Sequence, residues 1–201
     1  MAILVLDPVL EERIKADRGE CDRDEVWDGV LVMSPLANIE HQFLGGELCI
    51  ILRLTVGPPS AGLVFNGVNV SDRDEGWLQN YREPDVAVYL PRNPARDCGT
   101  HWQGGPDLAV EIVSPHDRAR DKAAFYASVG VRELLVLDRA PWALELYRRA
   151  EGGMALAAVS TPETADPVRL EVLPLALRLV AGAARPTLEV VHLADGRRWE
   201  I

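Results

Sequence analysis

Between residues 107 and 138 the chain runs DLAVEIV, then a helix-like segment over 116–129 closed by Gly130, then ELLVLD at 133–138. A short apolar run, a helix and a second apolar run in that order make a strand–helix–strand crossover, which pairs its two strands in parallel. This feature excludes all-helical and purely antiparallel folds. Strand candidates at 62–70 and 84–90 precede the run at 107–113 and are separated from it by polar loops, which predicts a meander leading into the crossover. EVWDGVLVMSP predicts a hairpin around Asp28-Gly29, and LEVVHLADGRRWEI a second one around Asp195-Gly196.

Helices are few. The spacing of Leu36, Phe43, Ile50 and Leu54 predicts a helix from about 36 to 54, stopped by Gly57-Pro58-Pro59, and residues 7–17 also read as helical. ALELYRR, MALAAVS and VRLEVLP continue the strand-like pattern, and 181–186 reads as a hinge before the last hairpin. The expected fold class is α/β with a mixed (α+β) sheet flanked by helices. At 201 residues it is expected to be one domain over 1–201, with a core over 25–180 and a C-terminal β-hairpin extension over 181–201.

Composition narrows the function classes. With 48% hydrophobic and 26% charged residues the chain reads as an ordinary globular protein without a membrane span. The opening MAILVLDPVLEERIK is too short in its apolar part, and too soon interrupted by Asp7 and Pro8, for a secretory leader, so a cytoplasmic protein is expected. A net charge of −10 argues against loose, non-specific DNA binding, although Arg118, Arg120 and Lys122 form a local basic run. Cys21, Cys49 and Cys98 match neither a zinc spacing nor an even disulfide framework. His41, His101, His116 and His192 lack the HxxxH or HExxH pairing of a transition-metal site, so any metal is expected to be an oxygen-loving one.

Two carboxylates carry the chemistry. Alternation in PDVAVYL puts Asp85, Ala87 and Tyr89 on one face, and alternation in DLAVEIV puts Asp107, Ala109, Glu111 and Val113 on one face. Glu111 thus lies mid-strand between Val110 and Ile112, where an ionised carboxylate costs several kcal/mol unless a cation or donors meet it. A hard divalent metal shared with Asp85 would supply that cation. Asp107 sits four residues before Glu111 on the same face, roughly 13 Å away, too far to share one ion, and reads as a residue opening the strand at a turn.

Lys122 shares a helical stripe with Phe125, Tyr126 and Val129, which turns an ammonium toward the sheet and the carboxylate pair. Two plainer readings stand beside this: a simple buried ion pair between Glu111 and Lys122, or a lysine that snorkels to solvent. Glu40 falls on the Leu36, Phe43, Glu47, Ile50 stripe of the first long helix and is a candidate auxiliary metal ligand. Glu47 reads as a residue at that helix's rim, and the five tryptophans, without base-stacking spacing, read as core or interface residues.

Asp85 in REPDVAVY, Glu111 in GGPDLAVEIVSP, the segment DKAAFYASVGVRELLVLD and WDGVLVMSP followed by EHQ at 40–42 together resemble the putative restriction endonuclease (Uma-type) family of the PD-(D/E)XK nuclease superfamily. The resemblance spans about residues 25–180. It implies a restriction-endonuclease-like core with Asp85 and Glu111 as ligands of Mg²⁺ (or Mn²⁺), and it implies nucleic acid, DNA first, as partner. The superfamily's usual lysine lies two residues after the glutamate, where this chain has Val113; the resemblance assigns that part to Lys122. His41 matches a position where the family often has histidine, implying an auxiliary residue that orients a water or a phosphate; the plainer reading is a histidine on the helix surface.

The expected function is Mg²⁺-dependent endonuclease hydrolysis of phosphodiester bonds in DNA, with Asp85, Glu111 and Lys122 as the catalytic set. The alternative is a nuclease-fold binding or scaffold protein that does not cleave. A third reading is a structural protein whose Asp85–Glu111–Lys122 cluster is only an ion-pair network. The edge of the terminal hairpin leads to the expectation of a homodimer.

Overall fold

The structure, a computed structural model, describes residues 3–5, 9, 23–34, 37–114, 118–164 and 166–201. The expected helix over 7–17 lies, but for Val9, outside the described residues, as do Cys21, Leu36 and His116.

Strands β1 (Ile3–Val5), β2 (Glu25–Trp27) and β3 (Val30–Met33) come first, followed by helix α1 (Ile39–Val56). Asp28 and Gly29 join β2 to β3 at φ values of 50° and 83°, the positive pair that a two-residue hairpin turn requires. Helix α1 begins at Asn38, whose side chain accepts the His41 N–H, and ends at Gly57, whose φ is 87°. It starts after Leu36 because the cap lies at Asn38.

Then follow β4 (Leu63–Asn66), β5 (Val70–Ser71), β6 (Tyr81–Arg82), β7 (Val86–Tyr89), β8 (Arg96–Asp97), β9 (Trp102–Gln103) and β10 (Leu108–Ile112). A 3-10 turn over Ala119–Lys122 leads into the short helix α2 (Ala123–Ser128), so the described part of the segment expected to be helical over 116–129, residues 118–129, forms a regular helix only over 123–128. The chain closes with β11 (Glu133–Arg139), β12 (Trp142–Ala150), β13 (Gly153–Ser160), β14 (Val168–Arg169), β15 (Leu175–Val180), β16 (Thr187–His192) and β17 (Arg198–Glu200).

The central sheet has the order β13-β12-β11-β10-β7-β4. Its β10–β11 pair is parallel, spanned by α2 as the crossover, and its other pairs are antiparallel, so the sheet is mixed. β4, β7 and β10 are the expected meander, but the loops between them leave to build a second sheet, β1-β3-β2-β6-β5-β9-β8. A third sheet, β14-β15-β16-β17, contains the terminal hairpin, and Leu188, Val190 and Ile201 bury into the main core. The hairpin is therefore woven into the molecule by its pairing with β15.

The central sheet separates two cores. Val86, Val88, Leu108, Val110, Ile112, Leu135 and Leu137 face α1 and the third sheet, whereas Ala109, Leu134 and Val136 face Phe125 and Tyr126 of α2 and Val70 of the second sheet. Alternation thus sends Glu111 to the α2 side. On α1 the buried face is His41, Leu44, Gly45, Leu48, Cys49, Ile51 and Leu52. The stripe of Phe43, Ile50 and Leu54 instead stands exposed, on the side of the helix opposite Gly45, Leu48 and Leu52. Among the described residues no helix is long and apolar enough to cross a membrane.

Candidate metal centre

Residues from five elements converge around Asp85 and Glu111. The antiparallel register pairs Ala109 with Ala87 and Val110 with Val86; continued by one step it sets Glu111 opposite Asp85. Both carboxylates line a cleft of about 40 Å³, together with Arg23, Glu25, Ser34, Ala37, His41, Glu83, Ser114 and Lys122. That volume exceeds the roughly 10–15 Å³ that one water needs.

Asp85 stands just ahead of β7 and is buried. Its Oδ1 accepts from Arg23 Nη1 at 2.9 Å, and its Oδ2 accepts from the Ile112 N–H at 2.8 Å and lies 3.3 Å from His41 Nε2. Burial pushes this carboxyl up, but the hydrogen bond and charge of His41, the Ile112 N–H and the Lys122 ammonium outweigh it, so Asp85 sits below its ordinary range and is ionised. His41 Nδ1, on the other side of the ring, has no hydrogen-bond partner among the described residues.

Glu111 is 2% exposed. Lys122 Nζ lies 3.1 and 2.9 Å from its two oxygens, and the Tyr126 hydroxyl donates to Oε1. Burial pushes Glu111 up, to about 8; Lys122 and the Tyr126 hydroxyl pull it down, whereas Asp85 and Glu25 raise it further. The two facing carboxylates are thereby driven apart in acidity, one ionised and one inclined to hold a proton, as happens where two acids take different parts.

Lys122 does not snorkel. Its side chain is buried, and its ammonium reaches a second carboxylate, Glu25 Oε1, at 2.8 Å. Glu25 is held in turn by the Glu83 N–H at 2.8 Å and by Trp27 Nε1 at 2.7 Å. Beside it the Arg82 guanidinium is sandwiched between the Trp27 and Phe125 rings, 4.5 and 4.3 Å from their centroids. Glu25, Glu83, Arg23 and Tyr126 are cleft residues or partners of its carboxylates that sequence reasoning misses. Tyr126 had a signal, being one helical turn from Lys122 on the same stripe; a charged residue opening a hairpin strand, as Glu25 does, has none.

Two candidates lie elsewhere. Glu40 pairs with Arg139 Nη1 at 3.0 Å and Arg185 Nε at 3.5 Å and does not line the cleft. Asp107 is a buried anchor: its Oδ2 accepts from the Leu90 N–H and Asn93 Nδ2, and its Oδ1 meets Arg132 at 3.2 Å. Val113, at the usual lysine position, is half-buried against the α2-side core.

The donor set fits a hard cation. With all four ionised, Glu25, Glu83, Asp85 and Glu111 face two permanent cations, Arg23 and Lys122, a formal excess of two negative charges that a divalent ion would neutralise. Carboxylate oxygens are the ligands that Mg²⁺ and Mn²⁺ take, and Asp85 and Glu111 would be the pair to hold the ion.

A mixed, parallel-cored sheet with a carboxylate pair and a lysine on its α2 face is the architecture of the restriction-endonuclease-like class. The chain belongs to the Uma2 family, described as putative restriction endonuclease, whose sequence profile matches residues 11–182. A crystal structure described as a putative nuclease from Anabaena variabilis shares the fold, with a TM-score of 0.56 and 19% identity over 72% of this chain and 80% of that one. No curated protein matches this chain.

Proposed function

We propose that this protein is a metal-dependent endonuclease that hydrolyses phosphodiester bonds in DNA, with Mg²⁺ or Mn²⁺ held by Asp85 and Glu111. The observation that carries the reading is the contact of the buried Lys122 ammonium with Glu111 inside the cleft that Asp85 also lines. The family to which the chain belongs supports a nuclease.

The ion would supply Lewis-acid polarisation of the phosphoryl group and of a water. The chain's own residues do the rest. Asp85, kept ionised and aimed by the Ile112 N–H and His41, would be the fixed ligand. Glu111 would serve as the second ligand in its ionised form, with the Tyr126 hydroxyl donating to one of its oxygens. Lys122, anchored on Glu25, would present its ammonium to charge developing on the phosphate. Arg23, a partly exposed cation at the cleft, is placed to meet the substrate backbone.

The test is Mg²⁺- or Mn²⁺-dependent cleavage of DNA by the purified protein, by Asp85→Ala and by Lys122→Ala. Cleavage by the unaltered protein alone is the expected result. Equal residual activity in all three points to contamination and ends the proposal.

A second reading, a nuclease-fold binding protein that does not cleave, draws on the saturation of Glu111 by Lys122 and Tyr126 and on the net charge of −10. It requires partner binding that survives Asp85→Ala. Homodimer formation, with β17 as an unpaired sheet edge, goes with the endonuclease reading and is checked by light scattering.

A further inference from the structure

We infer that Asp74, Cys98 and His101 form a second metal site, separate from the carboxylate cleft and built for a zinc-class divalent cation. Their ligand atoms all lie within 4.8 Å of one another. None of them lines the Asp85–Glu111 cleft.

Cys98 and His101 close the β8–β9 hairpin as Cys98-Gly99-Thr100-His101, a C-x-x-H spacing. The Cys98 N–H bonds to the His101 carbonyl at 3.0 Å, and Gly99 takes a φ of 84°, a value that strains any residue with a Cβ. A tight turn with two soft or borderline ligands separated by two residues is a recurrent way to present one half of a zinc site. Taken separately, the cysteine spacings and the histidine spacings show nothing; the signal lies between the two residue types.

His101 is the rigid member. It is 3% exposed and stacked on the Trp77 ring, with centroids 4.7 Å apart and planes at 14°. Its Nε2 lies 4.0 Å from Asp74 Oδ1. The other Asp74 oxygen contacts the Arg96 guanidinium, which also meets Gln103 Oε1 at 3.1 Å, so a second residue orients the carboxylate and leaves Oδ1 toward the imidazole. In the described arrangement Nε2 is 3.1 Å from the Arg73 carbonyl, a contact that needs the proton on Nε2. Metal binding moves that proton to Nδ1, and an acceptor for it, Thr100 Oγ1, is already 3.1 Å from Nδ1.

One sulfur, one imidazole nitrogen and one carboxylate oxygen suit Zn²⁺ and disfavour Mg²⁺. Tetrahedral zinc bond lengths put such ligands about 3.3–3.6 Å apart, so the three must close by about 1 Å. Asp74 is exposed and Cys98 half-buried, so these two side chains can make that movement against the fixed histidine. Three protein ligands leave a fourth position for water. The site would staple the β8–β9 hairpin to the 72–79 segment at the end of the sheet that also carries Glu25.

The test uses the full chain stripped with a chelator and titrated with Co²⁺ as the spectroscopic probe. The expected result is one equivalent of tetrahedral Co²⁺ with a near-ultraviolet thiolate charge-transfer band, displaced by Zn²⁺ and retained in Asp85→Ala. Cys98→Ser should abolish the band, and Asp74→Asn should weaken Co²⁺ binding at least tenfold. Zn²⁺ should raise the melting temperature of the unaltered protein and not of Cys98→Ser, a readout that does not depend on the buried His101 being replaced. No charge-transfer band in the unaltered protein, a band that persists in Cys98→Ser, or unchanged affinity in Asp74→Asn each overturns the site.

Discussion

The ammonium of Lys122, on the turn that enters α2, lies 2.8 Å from the carboxylate of Glu25, on the first hairpin of the second sheet. Both side chains are buried, and the same ammonium bonds Glu111 on the central sheet, so one cation ties the two sheets and the crossover helix together.

Removing that cation leaves two carboxylates uncompensated. Breaking one side of a buried ion pair costs about 3–5 kcal/mol, and the readiness of Glu111 to take a proton places Lys122→Ala near the lower figure, about 3 kcal/mol. Urea unfolding at pH 7 measures it, and adding Glu25→Gln to Lys122→Ala should restore part of the loss. A double variant no more stable than the single one would show that Glu25 and Lys122 do not interact.

Metal binding at the carboxylate cleft should be linked to a proton. Glu111, raised by burial to about 8, must lose its proton to serve as a ligand, so Mg²⁺ or Mn²⁺ affinity should climb with pH and level off above about 8. Calorimetry in two buffers of different ionisation enthalpy should find close to one proton released at pH 7. The stability sign is opposite for the metal-free protein. A folded value above the ordinary 4.5 contributes fully below about pH 4.5 and is lost as pH rises through about 8. The lowered Asp85 runs the other way, its contribution fading as acid protonates it.

Tyr126→Phe removes the hydroxyl that donates to Glu111 and nothing else of size. Loss of a hydrogen bond to a carboxylate predicts about 1–3 kcal/mol of destabilisation. Because that hydroxyl holds Glu111 down, the midpoint of the pH dependence of metal binding should move upward. A midpoint that stays in place would mean that Tyr126 packs without tuning the acid.

Two glycines should answer differently to a methyl group. At Gly45 on α1 a Cβ would rest 3.5 Å from Ile112 Cδ1, ordinary contact, so Gly45→Ala should gain up to about 1 kcal/mol from helix propensity. At Gly105, ahead of β10, a Cβ would stand 2.9 Å from the Val131 backbone nitrogen and 2.6 Å from its Cγ2, so Gly105→Ala should cost about 1–3 kcal/mol. Thermal unfolding of the pair provides the comparison.

Much of the sheet architecture was legible in the chain because its signals are local. The Asp28-Gly29 turn, the period-two faces of β7 and β10, and the strand–helix–strand order around α2 each occupy a few consecutive residues, and each matches the architecture found. Family motifs are also local, and they marked Asp85, Glu111 and Lys122, which the register and the crossover bring to one cleft. The face that α1 buries was not legible. The apolar residues of α1 stand on more than one side, and the face that carries Leu44, Leu48 and Leu52 is chosen only by packing against the central sheet.

What the sequence by itself determined, then, is the order of strands and helices, the sheet face that carries Glu111, and the stripe that carries Lys122, since alternation and helical periodicity are properties of neighbouring residues. Only the tertiary structure decided which charges meet. Glu25 reaches Lys122, Arg23 reaches Asp85, and Glu40 is drawn off by Arg139 and Arg185, because these contacts join residues far apart in the chain and depend on how the sheets stack. Asp74, Cys98 and His101 come together for the same reason: a loop and a hairpin end, each unremarkable alone, are packed against one another through the Trp77–His101 stack.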